Sequence, residues 1–172
     1  MKKYVAIILA VAMLCTLTAC RRQKTTQLEG TMQETANKIL KENPVEFMGD
    51  FYPVDLTDTT EDGLWALKNA TGLDSAAEIT DVAVYEPMTG SQAFSLVLVR
   101  VAENADAKTV AQKMKDNIDP AKWICVRADE VKAAGYGDTV LFIMLDSNLG
   151  KTAQSYVDAF QNVCGGKLDF VI

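Results

Sequence analysis

Apolar and polar positions follow two periods along this chain, and the change falls near Glu78. Before it the spacing is helical. Met32, Ala36, Ile39 and Leu40 recur on one face up to Asn43-Pro44, and Thr31-Met32-Gln33-Glu34 has the spacing of a capping box, in which a hydroxyl and a carboxylate satisfy free backbone amides reciprocally. Glu61 to Thr71, with Leu64, Trp65 and Leu67, predicts a second helix. Its acids Glu61 and Asp62 suit the positive end of the helix dipole, Asp58 and Thr59 are its expected caps, and Gly72 stands where a left-handed stop belongs. Between the two helices, residues 45–60 carry Gly49, Pro53 and several aspartates, which reads as an irregular approach anchored by Phe51 and Tyr52.

From Glu78 the period shortens. Ile79 to Tyr85 alternates, Pro87 to Ser91 supplies turn chemistry, and Phe94 to Val101 is a dense apolar run, so the two segments predict a β-hairpin. Ala107, Val110, Ala111, Met114 and Ile118 then form one apolar helical face that Asp119-Pro120 must end, with Lys108, Gln112, Lys113 and Lys115 as a solvated face. Trp123-Ile124-Cys125-Val126 reads as a short strand or a buried crossing. Val131 to Tyr136 and Thr139 to Leu145 flank Gly135-Tyr136-Gly137-Asp138, a second hairpin signal. Ala153, Tyr156, Val157, Phe160 and Cys164 repeat the helical spacing up to Gly165-Gly166, and Leu168 to Ile172 is an expected edge strand.

The order predicts an α+β domain: an antiparallel sheet built from two hairpin-helix units, helices packed on one face, with extra helices at the N-terminus. Superposing Leu98 on Leu141 also brings Lys108-Thr109 onto Lys151-Thr152, which suggests an internal duplication.

The first residues have a different character. Met1-Lys2-Lys3, the apolar stretch from Tyr4 to Leu17 and the small residues ahead of Cys20 make a signal peptide, shorter than the roughly 20 residues a membrane span needs. Leu17-Thr18-Ala19-Cys20 resembles the lipobox of bacterial lipoproteins, which implies that residues 1–19 are removed and a diacylglycerol is attached to the Cys20 sulfur. The expected organisation is signal peptide 1–19, lipidated tether 20–30, amphipathic helix and approach 31–54, and α+β domain 55–172. The expected place is the extracytoplasmic side of the cell membrane. Arg21, Arg22 and Lys24 follow the lipid and suit anionic headgroups, or are simply a solvated basic tether.

Loss of Lys2 and Lys3 with the signal leaves 15 of the 17 basic residues against 23 acidic ones, a formal charge of −8. That balance disfavours nucleic acid, whose phosphates are held mainly by Lys and Arg. Histidine is absent, which removes Ser-His-Asp and Cys-His catalysis and the commonest zinc sites. Asp55, Asp58 and Asp62 lack the alternate spacing, central glycine and terminal glutamate of a calcium loop. No cofactor or metal is expected.

Of the four cysteines, Cys15 leaves with the signal and Cys20 carries lipid, so Cys125 and Cys164 remain. They form either a disulfide, which a loop of this size would make worth ~4 kcal/mol, or two small buried apolar positions. Cys125 lacks an imidazole partner, and Asp129-Glu130 on a strand would point to opposite faces, so the chain is not expected to be an enzyme.

Ala77 to Val84, the helix Ala107 to Asn117 and Gly137 to Met144, together with Cys20, resemble a family of small uncharacterised lipoproteins of Gram-positive, clostridia-type bacteria that share a domain of unknown function. The resemblance covers roughly residues 55–164 and carries over no catalytic residue. The lipid anchor, the tether and the lack of catalytic chemistry point to an envelope-anchored interaction module that binds an unknown envelope protein or ligand through its sheet or the Glu61 to Gly72 region; the alternative is a small-molecule-binding lipoprotein serving a transporter. Trp65 and Trp123 read as core, and Tyr136, in a turn, as the partner-surface candidate.

Overall fold

The computed structural model describes residues 27–172; the signal peptide, Cys20 and the tether up to residue 26 lie outside them. Helix α1 (Met32–Glu42) begins with the expected capping box: Thr31 Oγ1 accepts from the Glu34 amide, and Glu34 Oε2 accepts from the Thr31 amide. Met32 N–H, the next free donor, reaches Asp81 Oδ2 at 2.8 Å, and Met32, Ala36 and Ile39 are fully buried. Strand β1 (Gly49–Tyr52) follows, then α2 (Glu61–Thr71), hairpin β2 (Ile79–Pro87) and β3 (Phe94–Val101), and α3 (Ala107–Asn117). The second hairpin is β4 (Glu130–Tyr136) and β5 (Thr139–Leu145). After it come a single 3-10 turn (Ser147–Leu149), α4 (Ala153–Cys164) and β6 (Phe170–Val171).

All six strands form one antiparallel sheet in the order β1-β2-β3-β5-β4-β6. Gly137, at φ +61°, and Asp138 close the second hairpin between the paired Tyr136 and Thr139, glycine taking the turn position that a side chain resists. β6 is the expected edge strand, paired with β4.

The helices cover both faces of the sheet, not one. Leu96 and Leu98 of β3 and Leu141, Ile143 and Leu145 of β5 pack with α1 and α4. The intervening Val97, Val99, Val140, Phe142 and Met144 pack with α2 and α3 on the other side. Strands buried on both sides need an apolar residue at every position, and every residue of β5 is buried. The two hairpin-helix units therefore differ in space. A rotation about the sheet normal that laid one hairpin on the other would keep both helices on one side, whereas α3 and α4 lie on opposite sides.

α1 and β1 belong to the same domain as the rest, because α1 packs on β2, β3 and α4 and β1 completes the sheet. The boundary expected at residue 55 thus falls inside it. The cap of α2 is Thr60; Asp58 sits behind it, accepting from the Thr60 amide and hydroxyl. Gly72 ends that helix at φ +76°.

Trp123 to Val126 forms neither a strand nor a buried crossing but turns in the 118–129 loop, with Ile124 and Cys125 exposed and Cys125 at φ +63°. Cys125 and Cys164 are free thiols. Trp123 of that loop packs with the cluster under α3, while Cys164 packs with the cluster under α4. The sheet stands between them, and a disulfide tolerates a Cα separation of only about 7 Å.

Candidate docking site

Six large apolar side chains stand well exposed among the described residues: Met48, Tyr52, Trp65, Met88, Ile124 and Val171. Five of them gather at one end of the sheet. Tyr52, Trp65 and Met88 line a cleft of about 340 Å³ whose walls also include Pro53, Pro87 and Trp123. Met48 and Ile124 flank it, the first through Met88 N–H on the Met48 carbonyl and the second through Ile124 N–H on the Gly90 carbonyl, both at 2.9 Å.

Each wall has a local cause. In β1, Phe51 turns to the α1 side, so the pleat sends Asp50 and Tyr52 to the other face; Tyr52 Oη donates to the Pro87 carbonyl at 3.1 Å. In α2, Leu67, Ala70 and Thr71 take the buried stripe, which leaves Trp65 68% exposed, against its expected place in the core. Trp123 packs partly on the second cluster, yet its buried indole Nε1 has no hydrogen-bond partner among the described residues.

A buried polar network fixes the floor. Lys122 Nζ donates to Glu86 Oε1 at 2.6 Å and to the Asn69 carbonyl at 2.9 Å, and Ser95 Oγ donates to Glu86 Oε1 at 2.7 Å. Loop 118–129 is thereby tied to α2, β2 and β3. The Lys122 ammonium also lies 5.4 Å from the Trp123 ring centroid, close enough for a cation–π attraction. Burial pushes the Lys122 pKa down, and the charges of Glu86 and Asp119 oppose that shift.

The chain enters at the other end of the sheet. Arg100 Nη2 donates to the carbonyls of Leu28 and Gly30 at 3.1 and 2.7 Å, and Nη1 pairs with Asp138 at 3.1 Å. A larger cleft there, about 720 Å³, is lined by Gln27, Arg100, Lys108, Asp106, Asp138 and Asp169 among others. Its charges are of both signs and several already serve the fold: Asp106 caps α3 through the Thr109 amide, and Asp169 accepts from the Gly137 amide. We therefore give the smaller, apolar cleft precedence as a docking surface. From Arg100 to Phe94, six residues along β3, the two ends lie roughly 20 Å apart.

The other residues singled out in the sequence lie elsewhere. Tyr136 is half-buried against the α4 side, beside Gly166. Asp129 accepts from the Ser147 amide and hydroxyl, and Glu130 from the Ala153 amide, so the adjacent carboxylates cap two different turns. Asp55 likewise accepts from the Thr57 amide and hydroxyl, bonds that hold its pKa below the ordinary value. Sequence reasoning missed Met48, Met88 and Ile124, and it read Tyr52 as an anchor where the structure leaves it in the exposed wall. Their one signal is large apolar side chains set among turn residues, as in Pro87-Met88-Thr89-Gly90.

Comparison with protein-family models, curated proteins and solved structures returns no match for this chain.

Proposed function

We propose that the protein is a lipid-anchored, extracytoplasmic, non-catalytic module that docks a partner in the Tyr52–Trp65–Met88 cleft. The observation that carries this reading is the gathering of five of the six exposed large apolar side chains around one cleft, since such patches on a folded domain mark interaction surfaces. The anchoring part rests on the lipobox resemblance at Cys20 and on the acidic charge of the mature chain. With lipid on Cys20, only residues 21–26 precede the described chain, and six residues reach at most about 20 Å.

Photo-crosslinking in cells tests the reading. A benzoylphenylalanine at position 65 yields a discrete adduct that Met88→Glu abolishes, while the same group at Gln161, exposed on α4, yields none. Equal adducts at both positions, or none at 65, would overturn it.

A small-molecule reading is favoured by one feature, the 720 Å³ cleft at the Arg100 end, whose volume lies in the range of ligand pockets. A metabolite that raises the melting temperature in the wild type and not in Lys108→Ala selects that alternative.

A further inference from the structure

We propose that the occupant of the cleft is an extended, proline-containing peptide flanked by Lys or Arg, borne by another envelope protein; this rests on the docking reading above. Three observations select it.

The first is the wall chemistry. Tyr52, Trp65, Trp123, Pro53 and Pro87 surround the cleft, and flat aromatic and prolyl walls receive the ridges of a polyproline II helix, which enters already extended and therefore loses little entropy on binding. Such a helix leaves its carbonyls free and needs no sheet partner, so apolar walls of this kind are enough to seat it.

The second is the state of the neighbouring strand edge. Met88 N–H bonds the Met48 carbonyl, so Met48 is a hydrogen-bonded position and the amides of Gly49 and Phe51 point away from β2. The Phe51 amide is already held by Asp50 Oδ1 at 2.8 Å. A peptide adding as a seventh strand would lose that donor, so a side-chain groove is the better reader.

The third is charge. Glu61 and Asp62 sit one turn before Trp65 and Ala66, two residues that line the cleft from α2. Glu86 is neutralised by Lys122, and no Lys or Arg lines the cleft. With Arg127 exposed in the 118–129 loop and Glu61 and Asp62 exposed on α2, the acids outnumber the bases around Trp65, and that rim of the cleft complements Lys and Arg. The same rim opposes a second copy of this chain, which would bring acid against acid. A glycan would need many hydroxyl partners, whereas Tyr52 Oη is already spent on Pro87.

The full lipidated chain in nanodiscs is titrated with four probes: an Arg-flanked Pro-x-x-Pro decapeptide, the same peptide with Glu for Arg, the same with Ala for Pro, and an N-acetylglucosamine oligomer. Indole ¹⁵N–H resonances and binding isotherms are read. The Arg-flanked peptide moves the Trp123 resonance, and the Glu and Ala peptides bind about tenfold or more weakly, a difference of about 1.4 kcal/mol or more. Trp65→Ala loses affinity at unchanged melting temperature, and Asp62→Lys lowers the preference for Arg over Glu. Equal binding of the Arg and Glu peptides, or of the Pro and Ala peptides, overturns the proposal. Resonance shifts with the sugar alone overturn the peptide and leave the docking reading standing. Self-association that disappears in Trp65→Ala likewise replaces the peptide with a second copy. If no probe moves either indole, the peptide is overturned, and the crosslink at position 65 then decides separately whether docking survives.

Discussion

Lys122 Nζ stands 2.6 Å from Glu86 Oε1, with the lysine side chain 4% exposed and the glutamate 17% exposed. The pair carries the loop that presents Trp123 and Ile124. Two charges withdrawn from water this far are stabilising only while they remain together. Glu86→Ala is therefore expected to cost about 3–5 kcal/mol, by stranding the ammonium. Glu86→Leu combined with Lys122→Met should recover most of that loss. Urea denaturation of the single and double variants measures the coupling; additive losses would show that the pair does not act as a unit.

Tyr156 presents the opposite situation. It is fully buried in α4, edge-on to Phe94 at 5.2 Å between ring centroids, and its hydroxyl has no partner among the described residues. Burial, with a smaller contribution from Tyr85, pushes its pKa well up. A buried hydroxyl without a partner forfeits its hydration and gains nothing in return. Tyr156→Phe is expected to leave stability unchanged or to raise it by about 1 kcal/mol, while Tyr156→Ala should cost about 3–5 kcal/mol through the cavity it leaves. Thermal unfolding of both variants checks the pair of signs.

The cysteines separate by environment. Burial, and to a lesser degree the charge of Asp169, pushes the Cys164 pKa from 9.0 up to about 12. Because the folded value lies above the unfolded one, this contribution to stability is complete below pH 9 and is lost as pH rises toward 12. At pH 8 the thiolate fraction of Cys164 should lie far below that of an ordinary thiol, and its alkylation should be slower by at least about tenfold, the higher nucleophilicity of the more basic thiolate offsetting part of the loss. Cys125, exposed in its loop, should take up iodoacetamide first. Peptide mapping after timed labelling decides; equal labelling would mean that the C-terminal turn of α4 opens readily. Lys122 acts in the other direction: its pKa is lowered from 10.5, so its contribution to stability rises with pH up to that value. The rise is therefore best read in Cys164→Ala below pH 10.0, where the buried Tyr156 has not yet begun to lose its own contribution.

Local chemistry made much of the fold legible. Thr31 and Glu34, Gly72, and the Gly137-Asp138 turn each act on backbone within a few residues, so their sequence positions mark the ends of α1, α2 and the second hairpin. β1 was not legible, because Gly49 to Tyr52 has too few residues to show a period and becomes a strand only by pairing with β2. The second helical face was encoded in the unbroken apolar run of Leu96 to Val99, since alternate residues there bury against different helices. Ile79 to Tyr85, nearer the edge, alternates and so suggested a sheet covered on one side. Trp65 shows the limit for the site. Leu64, Trp65 and Leu67 all fit a helical stripe, and only the placement of Leu67, Ala70 and Leu73 under the sheet reveals which flank is left outside.

Arg100 and Asp138 pair where residues 28 and 30 meet the sheet. Their side chains are 13% and 15% exposed, and the same guanidinium also holds the Leu28 and Gly30 carbonyls. The three bonds leave from two nitrogens of one planar fork, a spread that a lysine, with all its donors on one nitrogen, does not reproduce. Arg100→Lys should therefore destabilise, and Arg100→Met more so, by about 3 kcal/mol from the lost bonds to a charged group. Before global unfolding, residues 27–30 should become the first site of limited proteolysis in Arg100→Met. Asp138→Asn keeps the two carbonyl bonds and should protect those residues almost as well as the wild type. Cleavage mapping by mass spectrometry separates the variants; an equal cutting rate at Leu28 in all of them would show that Arg100 does not hold the tether.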